Sequence, residues 1–168
     1  MLDNTETEKR KKPTFLIVLV VLSFISIGSS TIDLVSTLIS GPLSQDQLEQ
    51  QQAEMYEAVS VFEEADLDNF IPMIEKSAEL LVYVNNEIFL PYNILTLVSL
   101  IIGFLGVFFM LQLKRIGFHL YVIYSLLPVI LMYILIPMNL IISALVISTV
   151  VLSALFCVLY GLNLKHMK

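Results

Sequence analysis

Residues 14–40 read TFLIVLVVLSFISIGSSTIDLVSTLIS, an unbroken apolar run without Lys or Arg and with a single acid, Asp33. A helix of about 20 apolar residues crosses a hydrocarbon core that is about 30 Å thick. This stretch alone therefore predicts a transmembrane helix and places the chain among integral membrane proteins.

The composition of the whole chain agrees with that class. Of its 168 residues, 57% are hydrophobic, and the mean hydropathy is +0.85. Soluble domains are only about 45–50% apolar. Three further stretches, at 91–113, 117–136 and 139–162, are long enough to span and contain no Lys or Arg.

Charge is sorted along the sequence rather than mixed. Residues 41–90 hold eleven acids and one base, Lys76, which leaves this segment at −10 although the whole chain carries only −6. The other bases flank the apolar stretches: Lys9, Arg10, Lys11, Lys12, Lys114, Arg115, Lys165 and Lys168. The positive-inside rule then predicts a multi-pass protein of the cell membrane with both termini cytoplasmic and residues 41–90 outside.

These patterns divide the chain into eight predicted segments. They are a cytoplasmic basic tail (1–13), transmembrane helix 1 (14–40), an acidic extracytoplasmic helical segment (41–90), transmembrane helix 2 (91–113), a cytoplasmic turn (114–116), transmembrane helix 3 (117–136), transmembrane helix 4 (139–162) and a cytoplasmic tail (163–168). The alternative for residues 1–28 is a cleaved signal peptide, because a basic region precedes an apolar one and small residues follow. The apolar periodicity that continues to Ile39 favours the transmembrane helix.

The acidic segment itself has helical spacing. Ser44 predicts the start of one helix, and a second is expected near Asp68 with Pro72 in its first turn. The predicted fold class is therefore all-α: an integral membrane four-helix bundle with an extracytoplasmic amphipathic helical hairpin between spans one and two.

Small and polar residues recur within the spans at steps of 3 and 4. In the first span they are Ser23, Ser26, Ser30, Asp33, Thr37 and Ser40. This seven-residue repeat places all six on one helix face. Helices associate in lipid through small residues and hydrogen bonds, so we expect these faces to pack against one another. The predicted helix-packing residues are Ser26, Ser30, Ser99, Gly103 and Gly106.

Asp33 lies roughly 27 Å along the helix from Phe15, close to the outer edge of the hydrocarbon, at ~1.5 Å per residue. The same level is expected to hold Asn93, Tyr133 and Asn139. The sequence therefore predicts a polar cluster at the outer mouth, with Asp33 as a hydrogen-bonding residue. The alternatives are a solvated interfacial carboxylate and a proton or cation site.

The residues needed for catalysis do not converge. The single cysteine, Cys157, excludes an intrachain disulfide and a CxxC site. His119 and His166 are expected on the inner side, away from nearly all carboxylates, which excludes a His-carboxylate metal set. The acidic run from Glu63 to Asn69 lacks the Gly and the last Glu of a calcium loop. We expect no catalytic residues, no cofactor, no metal and no nucleic-acid partner.

Two motifs resemble a known family. Lys12, Pro13, Thr14 and Phe15 open the first span, and Lys114, Arg115, Ile116, Gly117, Phe118, His119, Leu120 and Tyr121 lead into the third. The chain is similar in these motifs and in its layout to a family of small, uncharacterised four-span inner-membrane proteins of Bacteroidota-type bacteria. The resemblance implies a bacterial inner-membrane location and carries no activity.

Three functions remain open. The first is a non-enzymatic interaction or accessory subunit that presents the acidic hairpin outside, with membrane lipids around it and a second copy or an unknown membrane or extracytoplasmic protein as partner. The second is a small transporter or channel component that uses Asp33. The third is a binder of lipid or of an apolar ligand, held between the hairpin and the bundle.

Overall fold

The computed structural model describes residues 12–64 and 66–168. Most of the predicted basic tail, including Lys9, Arg10 and Lys11, lies outside the described residues, as does Ala65 of the acidic run. The described ranges are all-helical and contain no strand. The α-helices are α1 (Thr14–Ser40), α2 (Gln45–Glu64), α3 (Ile71–Asn86), α4 (Phe89–Leu111), α5 (Arg115–Leu135) and α6 (Ser143–Gly161). Short 3-10 helices cover Asp68–Phe70, Met138–Leu140 and Leu164–His166.

Within residues 12–64 and 66–168, four helices are long and apolar enough to cross a membrane, which confirms the predicted all-helical fold with four membrane-length helices. They are Thr14–Ser40, Phe89–Leu111, Arg115–Leu135 and Ser143–His166, the last of which includes α6 and the final 3-10 helix. Backbone polar groups find no water in lipid, so a helix that satisfies its own amides is the form such apolar stretches take.

These helices pack side by side, α1 on α4, α4 on α5 and α5 on α6, and α1 also meets α6. The tightest pair is α4 and α5, where glycines let the backbones approach. A Cβ added at Gly106 would lie 2.9 Å from the Tyr121 amide nitrogen, and one at Gly117 would meet Gly106 O at 2.6 Å and the Met110 amide. Small residues at a helix contact are what close approach in lipid requires.

Met167 and Lys168 form hydrogen bonds at one end of the four long helices. This end is called here the tail end. The Arg115 amide donates to Lys168 O and the Lys168 amide donates to Leu113 O, both at 2.8 Å. The Arg115 Nε donates to Met167 O at 3.2 Å, and Met167 is buried. The tail therefore pairs by backbone bonds with the turn between α4 and α5.

The opposite end, called here the α3 end, carries the two remaining helices. The Tyr83 hydroxyl of α3 donates to Leu135 O at 3.2 Å, and Leu80 packs on the buried Ile136 and Leu140. In turn α2 packs on α3. The start of α2 is fixed by Asn85, which accepts from the Leu43 amide at 2.7 Å and donates to Leu43 O at 3.2 Å.

The predicted cap at Ser44 is observed. The Gln47 amide donates to Ser44 Oγ at 3.4 Å, and the Ser44 amide donates to Gln47 Oε1 at 3.0 Å. This reciprocal pair satisfies two amides that the first turn of a helix leaves free.

The predicted packing face of α1 needs correction. Of its six small or polar residues only Ser23 is buried, whereas Ser26, Ser30, Asp33, Thr37 and Ser40 are exposed. The buried residues of α1 are Leu16, Leu19, Val20, Ser23, Ile27 and Leu34. Neighbouring residues on a helix point about 100° apart, since a turn takes 3.6 residues. The buried residues Ile27 and Leu34 each follow a polar residue by one position. The polar residues therefore lie beside the packed face of α1.

Candidate functional site

Asp33 lies on the exposed surface of α1. Its backbone carbonyl accepts a hydrogen bond from Thr37 Oγ1 at 2.9 Å. Its carboxylate makes no hydrogen bond with the described residues. Among residues 12–64 and 66–168, the Asp33 side chain therefore links no other residue, and its predicted hydrogen-bonding role stays a prediction.

The other three members of the predicted outer cluster lie in different surroundings. Asn93 is buried on α4, where its Nδ2 donates to Phe89 O at 2.7 Å. Tyr133 is 51% exposed near the end of α5, and Asn139 is exposed in the 3-10 helix Met138–Leu140. Across residues 12–64 and 66–168 no hydrogen bond joins any two of the four. The shared cluster stays a prediction.

A cluster of hydroxyl-bearing side chains is found nearer the tail end than the predicted outer cluster. Ser23 Oγ and the Tyr160 hydroxyl are hydrogen-bonded at 2.8 Å, and the Tyr160 ring lies 4.6 Å from that of Tyr121. One turn away, Ser153 Oγ donates to Ser125 O at 3.0 Å, and Ser125 Oγ lies 3.3 Å from Cys157 Sγ. The 3 and 4 spacing of polar residues in α5 and α6 indicated these faces, but nothing in that spacing singled out Tyr160.

Three of the cavities formed by the described residues adjoin the long helices, and they are named here by position. The tail-side cavity, about 200 Å³, lies between α1, α5 and α6. The middle cavity, about 320 Å³, lies between α4, α5 and α6 and is bordered by α3. The α3-side cavity, about 480 Å³, lies between the end of α1, the starts of α2 and α4, and α3.

The three cavities adjoin in sequence. Pro128 and Thr149 line both the tail-side and the middle cavity. Val84 and Tyr92 line both the middle and the α3-side cavity. Each cavity therefore has neighbouring residues in common with the next, from the middle of the long helices to the α3 end.

The lining of all three is uncharged: no Asp, Glu, Lys, Arg or His is among the lining residues. The middle cavity is mainly aliphatic and includes Ser99, which is 3% exposed. Its Oγ is the one buried side-chain polar atom, among the described residues, that has no hydrogen-bond partner. Buried hydroxyl groups nearly always have a partner, and this oxygen is shielded from the cavity by its neighbours.

Ser99, Gly103 and Gly106, predicted as packing residues, all lie on the buried face of α4. An added Cβ at Gly103 would meet the Tyr124 ring at 2.7 Å. Ser99, by contrast, lines a cavity. The 3 and 4 spacing identified the face, while the opening beside Ser99 depends on α3, α5 and α6.

No set of three His, Cys, Asp or Glu that could hold a metal ion occurs in the part of the chain that the structure describes. His119 is exposed, and its Nδ1 lies 3.0 Å from Arg115 O.

Comparison of the chain with protein-family models, with curated proteins and with solved structures finds no match. The proposals below therefore depend on the residues and their geometry alone.

Proposed function

We propose that this chain is a non-enzymatic, multi-pass protein of the cell membrane that acts as an interaction or accessory subunit. In this proposal the four long helices form a four-helix bundle, and α2 and α3 form an extracytoplasmic hairpin. The supporting charge pattern is spatial: Lys114, Arg115, Lys165 and Lys168 lie at the tail end, where Arg115 and Lys168 are hydrogen-bonded through their backbones. By the positive-inside rule, this cluster of bases supports a cytoplasmic tail end.

The observation that carries the proposal is the position of α2. It packs on α3 rather than on the four long helices, and its one buried residue is Leu48. Most of its surface, including all six of its acids, is exposed. Bundle packing does not require this helix, which leaves its surface available to another molecule.

The end of α2 and the turn that follows combine apolar and acidic groups. Val61 is 61% exposed, and Leu67 and Phe70 are also exposed. Glu63 and Glu64 are exposed beside them. The matching partner is a protein with a basic surface around an apolar patch, because opposite charges speed encounter and orient the complex while apolar groups supply binding energy.

Site-specific photocrosslinking tests the proposal in native membranes. We expect a benzoylphenylalanine at Val61 to give a discrete adduct with a partner protein. The matched position is Leu162, which is 62% exposed near the tail end, and it should not give that adduct. Reversing two charges with Glu63→Lys and Glu64→Lys should lower the adduct yield several-fold. The same adducts from both positions, or none from Val61, would contradict the proposal.

The structure gives the Asp33 transporter hypothesis less support. Asp33 lines none of the three adjoining cavities, and a proton or cation path needs its carrier group within the path.

A further inference from the structure

The tail end gathers exposed bases from three separate segments of the chain: the residues before α1, the start of α5 and the last residues. These bases are Lys12, Lys114, Arg115, Lys165 and Lys168. Within residues 12–64 and 66–168, every acid other than Asp33 lies between residues 46 and 87. Asp33 itself lies roughly 28 Å along α1 from Thr14. The tail end, as far as the structure describes it, is therefore a surface of positive charge alone.

Backbone hydrogen bonds hold two of these segments together. The Arg115 amide donates to Lys168 O, and the Lys168 amide donates to Leu113 O, both at 2.8 Å. The Arg115 Nε also donates to Met167 O at 3.2 Å. This pairing of residues 113–115 with residues 167–168 is called here the clasp. Because Lys114 lies between Leu113 and Arg115, the clasp places three bases side by side.

Buried apolar residues bring the third segment to the same end. Leu16 of α1, Met110 of α4 and Met167 belong to one buried cluster. Lys12 lies four residues before Leu16, and Lys165 lies two residues before Met167. The packing of apolar side chains and the backbone bonds of the clasp therefore collect the bases, whose own charges oppose the arrangement.

Like charges that are held close together raise the free energy of the folded chain unless a counter-charge lies near them. Residues 1–11 add none in net terms, because they contain three acids and three bases. The start of α5 is also the positive end of its helix dipole, where anions are favourable and cations are not. The first turn of α5 contains no acid, and its N-cap residue makes no side-chain hydrogen bond. We therefore expect another molecule to supply the counter-charge.

Exposed apolar side chains lie beside each group of bases. Phe15, Ile116 and Leu162 are 47%, 54% and 62% exposed, and each lies within three residues of a base. A dissolved anion makes no use of such hydrocarbon surface. An anionic lipid carries its charged head group directly next to its acyl chains, and bases at the end of a membrane helix attract such lipids. The combination fits an anionic lipid better than a free anion.

We propose that the tail end binds the phosphate group of an anionic phospholipid. Lys114, Lys168 and the Nη groups of Arg115 contact the phosphate, which a guanidinium can bind with two parallel hydrogen bonds. The acyl chains lie along Ile116 and Leu162. The bound head group bridges the two segments of the clasp and lowers the repulsion between their bases. This binding rests on the membrane position of the four long helices in the proposed function, but not on the interaction surface of α2.

Native mass spectrometry of the full chain, released from micelles of a non-ionic detergent, tests the site. The probes are a phosphatidylglycerol, a phosphatidylcholine with the same acyl chains, and inorganic phosphate. We expect the phosphatidylglycerol to bind at least about fivefold more tightly than the phosphatidylcholine, the factor that one base near an anionic lipid surface contributes. Millimolar inorganic phosphate should not displace it. Equal binding of the two lipids, or displacement by phosphate, would overturn the proposal. The micelles contain no partner protein, so this result is separate from crosslinking at Val61.

Removal of charge provides the matched control. The double variant Lys114→Gln, Lys168→Gln removes two bases and retains the clasp, whose bonds at these positions use backbone atoms. Its affinity for phosphatidylglycerol should fall about 10- to 30-fold, at roughly fivefold per base. Lys76→Gln removes an exposed base of α3, the one Lys or Arg of the described residues that lies outside the tail end, and should leave the affinity unchanged. Equal losses in the two variants would contradict a site at the tail end.

Hydrogen exchange locates the bound lipid without any substitution. The Arg115 and Lys168 amides are donors in the clasp, so a head group that bridges the clasp should slow their exchange several-fold. Phosphatidylcholine should not slow it, and the amides of α3 should exchange at the same rate with either lipid. Unchanged exchange at Arg115 and Lys168 in the presence of phosphatidylglycerol would exclude the bridging head group.

Discussion

The two ends of the four long helices differ in how they are packed. Five of the six largest fully buried side chains in the described residues, Leu16, Val20, Val107, Met110 and Tyr160, lie towards the tail end. The middle and α3-side cavities lie towards the α3 end. The tail-side cavity, at about 200 Å³, is the smallest of the three.

The comparison shows that the closest packing lies towards one end of the long helices. Glycine contacts and backbone bonds at the tail end hold the helices in one arrangement. The α3 end then retains space and uncharged polar groups that packing alone would not require. Substitutions at the tail end should therefore lower the free energy of unfolding more than substitutions at the α3 end.

The largest effect is expected at Gly117. The Cβ of Gly117→Val would collide with the Met110 amide and Gly106 O, which are backbone atoms and cannot move aside. We expect a loss of more than about 3 kcal/mol in the free energy of unfolding, at or beyond the upper end of typical overpacking costs. Titration with dodecyl sulfate in mixed micelles measures it.

Gly28→Ala is the matched control for Gly117→Val. Nothing lies within 4 Å of an added Cβ at Gly28, so this variant should be as stable as the parent, or more stable by up to about 1 kcal/mol because Ala favours helix. Similar losses for the two variants would mean that α4 and α5 do not approach as closely as described.

A smaller effect is expected from the hydrogen bond between Ser23 and Tyr160. The residues are 137 positions apart and their oxygens are 2.8 Å apart, so the bond joins α1 to α6. Interhelical hydrogen bonds within membranes contribute about 0.6 kcal/mol on average and up to about 1.7. A double-mutant cycle of Ser23→Ala and Tyr160→Phe should return a coupling energy in this range. A coupling energy of zero would mean that this hydrogen bond does not stabilise the tail end.

The sequence predicts the helices well for a physical reason. A long apolar stretch in lipid has to satisfy its own amides, so residues 14–40 specify a helix without reference to the rest of the chain. The cap at Ser44 is equally local. The close α4–α5 contact also leaves a local signal, in glycines at a spacing of 3.

The packed face of α1 and the cavities could not be predicted in the same way. Ile27 and Ser26 are neighbours, and the choice of which one packs depends on residues far along the chain, such as Tyr160 and the aromatic contact of Phe24 with Phe104 at 5.3 Å. The space beside Ser99 likewise needs four helices to define it. Helical periodicity within one segment carries no information on either.

The smallest effect is expected at Asp33. Replacing this residue tests whether its carboxylate is a carrier group, a hydrogen-bonding residue or neither. The carboxylate is exposed and makes no hydrogen bond with the described residues. Asp33→Asn keeps the shape and removes the charge, so the free energy of unfolding should change by less than about 0.5 kcal/mol. Proton flux into vesicles should match that of the parent and of Glu57→Gln, which removes an exposed charge from α2.

If Asp33→Asn alone abolished a pH-dependent flux, Asp33 would be a carrier group. If it destabilised the chain by well over 1 kcal/mol, the polar cluster with Asn93 would regain support, because an isolated exposed carboxylate has no partner to lose.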